Sequence, residues 1–199
     1  MDDVSLVNRA DSSRRCLCNQ REAGSALSST KDNVLNSLLA AHEAWFDVSR
    51  NQEFAGRVFP GYAEFHTRGE QYVLVKRAKL WEVASHEYIF FAESDHLTAP
   101  EVSELIEFVK TRGIKKVNPD EPNHMQSFIS LVVITDAADD EALKIARRAR
   151  FRKNFKLGLN GWADLRVAIL DLKSASVITN AMGKEMKKTL ESNLQASLS

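Results

Sequence analysis

Cysteine is nearly absent from this chain: Cys16 and Cys18 are the only two in 199 residues, and a single residue separates them. That spacing is a poor start for an unstrained disulfide. Two thiols also fall short of the four ligands of a structural zinc site unless histidines join them from elsewhere. A disulfide scaffold and a cysteine-rich metal fold are therefore both excluded, and cysteine usage points to a reducing compartment. Long apolar runs are missing too, since none approaches the roughly 20 residues that span a bilayer. The N-terminus has no apolar core of the kind a secretory signal carries, so the expected location is the cytoplasm, with no membrane partner. An excess of either charge is likewise absent, because 27 basic side chains face 27 acidic ones. With so weak a whole-molecule field, contact with a polyanion would need a local patch.

What is present belongs to a soluble globular protein: 44% apolar and 27% charged residues, enough for one domain with a substantial core. Residues 1–28 are polar, rich in Ser and Arg and without a sustained period, which predicts a disordered tail ahead of a single α/β domain over 29–199. Val34, Leu35, Leu38, Leu39, His42, Trp45 and Phe46 recur at helical spacing and predict a first helix with Ser29 or Thr30 as N-cap. The chain is expected to turn through Phe59, Pro60 and Gly61. "YAEFH" and "EQYVLVKRAKLWEV" read as strands around the turn "TRG", and "HEYIFFAE" as a third strand after the short connection "VAS". Thr98 and Glu101 are spaced as a capping box for a second helix in which Val102, Leu105, Ile106 and Val109 line one face until Gly113. "SFISLVVIT" and "ADLRVAILDL" are the near-continuous apolar runs of strands buried on both faces. Between them Asp136 is expected to cap a third helix over "DDEALKIARRARFRKNF", and a final helix occupies "NAMGKEMKKTLESNL". The predicted fold is α/β: a helix, an antiparallel meander, then alternating helices and strands, with a mixed sheet covered on both faces.

Helix, meander, helix and strand in that order, with "QYVLVKRAK" and "VVITDAADDEALKIARRAR", resemble the core of the restriction-endonuclease-like superfamily, particularly its Mrr-type members, over residues 60–153. The whole chain also resembles a bacterial family of unknown function. The first resemblance implies nucleic acid as partner, Mg²⁺ as the cofactor of an active member, and a catalytic pair formed here by Glu64 and Lys76. The position that family enzymes use for a further metal ligand is Leu74, which cannot bind Mg²⁺ because that ion takes oxygen ligands. A carboxylate would have to migrate in from another strand. Strand parity makes a cluster of Glu64, His66 and either His86 or Glu87 beside Lys76 geometrically possible.

Other patterns are weaker. "HEY" at 86–88 lacks the second histidine of a metalloprotease helix, "TNAMGK" lacks the glycine and hydroxyl of a phosphate loop, and Asp171 with Lys173 is a pattern common by chance. The third helix carries a dense basic run, in which Lys144, Arg147, Arg148 and Arg152 are expected to form one face able to bind phosphates. Three functions follow as expectations. The first is a nucleic-acid-associated protein with an incomplete catalytic set, the second a non-catalytic structural or interaction module, and the third a metal-dependent nuclease with a migrated carboxylate.

Overall fold

The computed structural model describes residues 30–72, 79–122 and 124–198. A first helix, α1, covers residues 30–42 and buries Val34, Leu35, Leu38 and Leu39 along one stripe, as the spacing predicts, whereas Trp45 lies past its end and is exposed. Strand β1 (Asp47–Phe54) follows, and a two-residue turn at Ala55 and Gly56 leads into β2 (Arg57–Tyr72). Both turn residues have positive φ, +50° and +82°, the mirror-image geometry that matches the twist of a hairpin.

The turn expected at Phe59 to Gly61 thus lies inside a strand. Pro60 has no amide to donate and is skipped in the pairing with β1, where Arg50 faces Gly61 and Gln52 faces Phe59. Gly61 is small for packing: a Cβ there would stand 3.0 Å from Leu35 Cδ1 and 3.0 Å from Leu39 Cδ2 of α1. Strand β3 (Lys79–Leu97) pairs antiparallel with β2, and the stretches read as breaks face each other across that ladder, Thr67 opposite Ser85 and Gly69 opposite Val83. The meander is therefore three-stranded as expected but is built from β1, β2 and β3. No sequence pattern predicts β1, and the expected strand "EQYVLVKRAKLWEV" is not one strand: its residues 70–72 continue "YAEFH" in β2, and its residues 79–83 run on into "HEYIFFAE" in β3.

Helix α2 (Ala99–Thr111) starts after Thr98, which holds the extended backbone of an N-cap without a side-chain cap bond. The capping box is not formed, because Glu101 instead accepts the Ser94 hydroxyl at 3.1 Å. Val102, Leu105, Ile106 and Val109 are the buried stripe. Beyond residues 113–122 comes β4 (His124–Ala138), parallel to β3, then α3 (Asp140–Arg148). The N-cap of α3 is Asp139, since β4 runs on through Asp136, whose carboxylate pairs with Lys31 at 3.0 Å. The helix also ends well before residue 155. From Ala149 the chain is extended so that Phe151 and Phe155 reach the core, and Arg152–Asn154 form β5.

Strand β6 (Trp162–Asp171) lies parallel to β4, β7 (Ser176–Thr179) returns along its outer edge, and α4 (Lys184–Leu198) closes the chain. Asn180–Gly183, expected to be helical, form the turn into α4. Buried Asn180 stitches them to β6 by accepting from the Val167 amide and donating to the Leu165 carbonyl. The sheet order is β1-β2-β3-β4-β6-β5, with β7 also on β6. Phe59, Phe90, Leu131, Leu165 and Val167 pack toward α2 and α3, whereas Phe91, Val132, Ile134, Ala168 and Leu170 pack toward α1 and α4. The expected α/β sheet with two covered faces is what forms. Among the described residues no helix is long and apolar enough to cross a membrane.

Candidate functional site

Period-two alternation carries Tyr62, Glu64 and His66 of β2 to the α2/α3 face, and the ladder sets Tyr88 opposite Glu64 and His86 opposite His66. Aromatic Tyr62 and Tyr88 belong to the core, and the polar members continue it toward the start of β3, where residues 113–122 cross over them. The result is a cleft of about 740 Å³ lined by His66, His86, Asn118, Asp120, Glu121 and Pro122.

Its centre is a pair of imidazoles. His66 Nδ1 and His86 Nδ1 are 2.8 Å apart, so an N–H of one ring donates to the lone pair of the other. His66 is half-exposed at 45%, and His86 is buried at 2%. A carboxylate stands behind each ring: Glu64 Oε1 lies 3.6 Å from His66 Nε2, and Glu121 Oε2 lies 3.0 Å from His86 Nε2, without the alignment of a hydrogen bond. The row runs Glu64, His66, His86, Glu121. Between neutral rings either direction leaves one lone pair toward a carboxylate: donation from His66 Nδ1–H to His86 Nδ1 turns the His86 Nε2–H to Glu121 at 3.0 Å and the His66 lone pair to Glu64 at 3.6 Å, and the reverse exchanges the two. The first arrangement is favoured because the nearer carboxylate then faces the N–H and the farther one the lone pair.

The surroundings bias each group. Burial strips water from a charged His86, and the rings of His66 and His124 add repulsion; these outweigh the pull of Glu121 and hold its pKa below the ordinary 6.5. His124 stacks on His86 with the ring planes at 6°, while its Nδ1–H donates to the Asn160 carbonyl at 2.7 Å and its Nε2 accepts from the Ser127 hydroxyl at 2.9 Å. Burial works to raise Glu64, but the Tyr62 hydroxyl, which donates to it at 2.6 Å, and Lys116 at 3.0 Å hold it below the usual carboxylate range. Burial, then the Glu64 contact, pushes the Tyr62 phenol well above its usual value. Burial, together with the charges of Glu64 and Glu121, pushes Tyr88 up to about 12.

The other expected site residues lie elsewhere. Glu87 points to the α1/α4 face, where Arg166 donates to it at 3.1 Å and Ser130 at 2.8 Å. Lys76 falls among residues 73–78, outside the described residues. Lys144, Arg147 and Arg148 are exposed on α3. Arg152 does not share their helix: it is on β5 and grips buried Asp164 through Nε and Nη2, both at 2.7 Å. Asp171 accepts the Lys173 amide and the Ser174 hydroxyl, which makes it a turn-capping residue after β6. Sequence reasoning missed Lys116, Glu121 and the stacking role of His124. The first two sit in a segment of no period, and their convergence on Glu64 and His86 is set by how that segment crosses the sheet.

Metal ligation fits poorly. Among the described residues no three His, Cys, Asp or Glu side chains are placed to hold an ion. Two imidazole nitrogens bound to one tetrahedral zinc would stand roughly 3.4 Å apart, wider than the 2.8 Å observed. Mg²⁺ would need several oxygen ligands, yet Glu64 is engaged by Tyr62 and Lys116 and Glu87 is on the other face.

Fold and cleft together define an α/β domain with a hydrogen-bonded histidine pair at the amino ends of its parallel strands. The chain belongs to the family described as "Domain of unknown function (DUF8052)", whose model matches residues 30–192. No curated protein and no solved structure matches it.

Proposed function

We propose that the chain binds a small polar ligand in the cleft under residues 113–122 and transfers a proton to or from it through His66. The observation that carries this reading is the 2.8 Å contact between a half-exposed and a buried imidazole, each backed by a carboxylate. A proton gained or lost at the outer ring can be compensated by a shift along the row, which is what general acid–base chemistry requires. The lining favours a neutral or cationic ligand over a phosphate, since Asp120 and Glu121 face the cleft with the two rings. Saturation-transfer NMR with mixtures of neutral and cationic polar metabolites tests it. The expected result is at least one compound that binds the wild type and is lost in a folded His86→Gln variant. Uniform silence, or binding unaffected by that variant, would sink the reading.

A second reading is association with nucleic acid by a restriction-endonuclease-like domain with an incomplete catalytic set. It is favoured by the order helix, meander, helix and parallel strand, and by exposed Lys144, Arg147 and Arg148 on α3. Catalysis as a metal-dependent nuclease has less support, because Glu87 faces away from Glu64. Contacts from these three cations would give a salt slope of roughly two to three in log Kd against log salt. Anisotropy with a labelled duplex at low salt, comparing wild type with the triple Glu variant, decides it. Negligible affinity in the wild type would leave a non-catalytic interaction module as the alternative to the cleft.

A further inference from the structure

On the α1/α4 face, a second cavity of about 530 Å³ lies where β4 and β6 meet the start of α4, with Phe128, Arg166, Met182, Lys184 and Glu185 among its walls. Arg166 interrupts the apolar run of β6 and is only 7% exposed. Its guanidinium carbon sits 3.3 Å above the Phe128 ring centroid, Nη1 donates to Glu87 at 3.1 Å, and Nη2 donates to Glu185 Oε2 at 2.9 Å. Its Nε is buried and has no hydrogen-bond partner.

Nε and Nη2 make one edge of the planar guanidinium, the edge that holds both oxygens of a carboxylate when its fork is filled. Arg152 shows the filled form on Asp164 in this same protein. The equivalent edge of Arg166 holds one oxygen. The residue that supplies that acceptor oxygen, Glu185, has a side chain that is 80% exposed and is tethered to the first turn of α4. Glu185 therefore fills half of a site and gives up little by returning to water.

We propose that the Arg166 cavity binds a small monocarboxylate with an apolar body, and that Glu185 is its resident stand-in. The ligand carboxylate takes Nη2 from Glu185 and adds the bond to Nε that is missing. Phe128 and Met182 contact the apolar part, and Lys184 is a second cation beside the cavity. Charge selects the class: Arg166 and Lys184 are balanced by Glu87 and Glu185, so a monoanion that displaces Glu185 keeps the balance, whereas a dianionic phosphate does not. The site is separate from the histidine cleft, because consecutive residues His86 and Glu87 face opposite sides of β3.

The experiment is an NMR titration of the full chain, following the Met182 methyl signal as sodium butyrate is added, in wild type and in Glu185→Ala. Sodium chloride and inorganic phosphate at matched ionic strength are the controls. Glu185→Ala removes a side chain that is mostly in water, so folding is not at stake. The expected result is saturable binding of butyrate by both proteins, about fivefold tighter in the variant, the size of a competing exposed ion pair, with no saturation by chloride or phosphate. Absence of saturation by butyrate in both proteins, equal affinity in the two, or preference for phosphate would overturn the assignment.

Discussion

Acidification should weaken the fold through one residue, His86. In the unfolded chain its imidazole titrates near 6.5, but in the folded chain burial and the neighbouring rings resist the charge and set its pKa lower. Between those two values the unfolded chain binds a proton that the folded chain refuses. Stability is therefore at its full value above pH 6.5 and falls as the pH drops below it. One proton gives a maximal slope of about 1.4 kcal/mol per pH unit, so going from about pH 7.5 to about pH 5.5 should remove roughly 1 kcal/mol. Glu64, held low, keeps its contribution until the pH passes below 4.5, so the two windows do not overlap. Urea unfolding at the two pH values, in wild type and in His86→Gln, isolates the effect because other groups contribute equally to both proteins. The wild type should lose roughly 1 kcal/mol more than the variant over this interval. Parallel losses would show that His86 carries no linked proton and would refute the account of its burial.

Three further outcomes are expected. Gly61→Ala should destabilise by about 1–2 kcal/mol through overpacking against Leu35 and Leu39 of α1, measured as a lower urea midpoint at unchanged slope. Leu38→Ala, which truncates a side chain with no exposure, should cost about 2–5 kcal/mol by the same assay. In an alkaline ultraviolet titration the signal of Tyr88 should appear only near pH 12, and Tyr88→Phe should delete a late-titrating step and leave the earlier part of the curve unchanged.

Where burial writes a period into the sequence, the fold is legible. The stripe of α2, the buried runs of β4 and β6 and the apolar face of α1 follow directly from side-chain spacing. Glycine and proline misled where their cause is tertiary: Gly61 marks a close helix approach rather than a turn, and Pro60 is tolerated inside β2 because the ladder skips it. Helix α3 stops early because Phe151 and Phe155 gain burial from an extended chain, and no local breaker announces this. Of the site, parity alone put Glu64 and His66 on one face and separated His86 from Glu87. It could not choose which of the latter two faces Glu64, because that choice depends on the register between β2 and β3. Glu121 and Lys116 reach the cleft through a long-range crossover that leaves no periodic trace.

The central claim, that Glu64, His66, His86 and Glu121 form one proton-holding row, is tested most directly by histidine ring ¹⁵N spectra of the full chain at neutral pH. The account predicts that His86 is a neutral ring with a lone pair on Nδ1 and its proton on Nε2, that His66 carries a proton on Nδ1, and that a scalar coupling crosses the Nδ1 to Nδ1 contact. Two uncoupled imidazoles, each protonated on Nε2 alone, would contradict it.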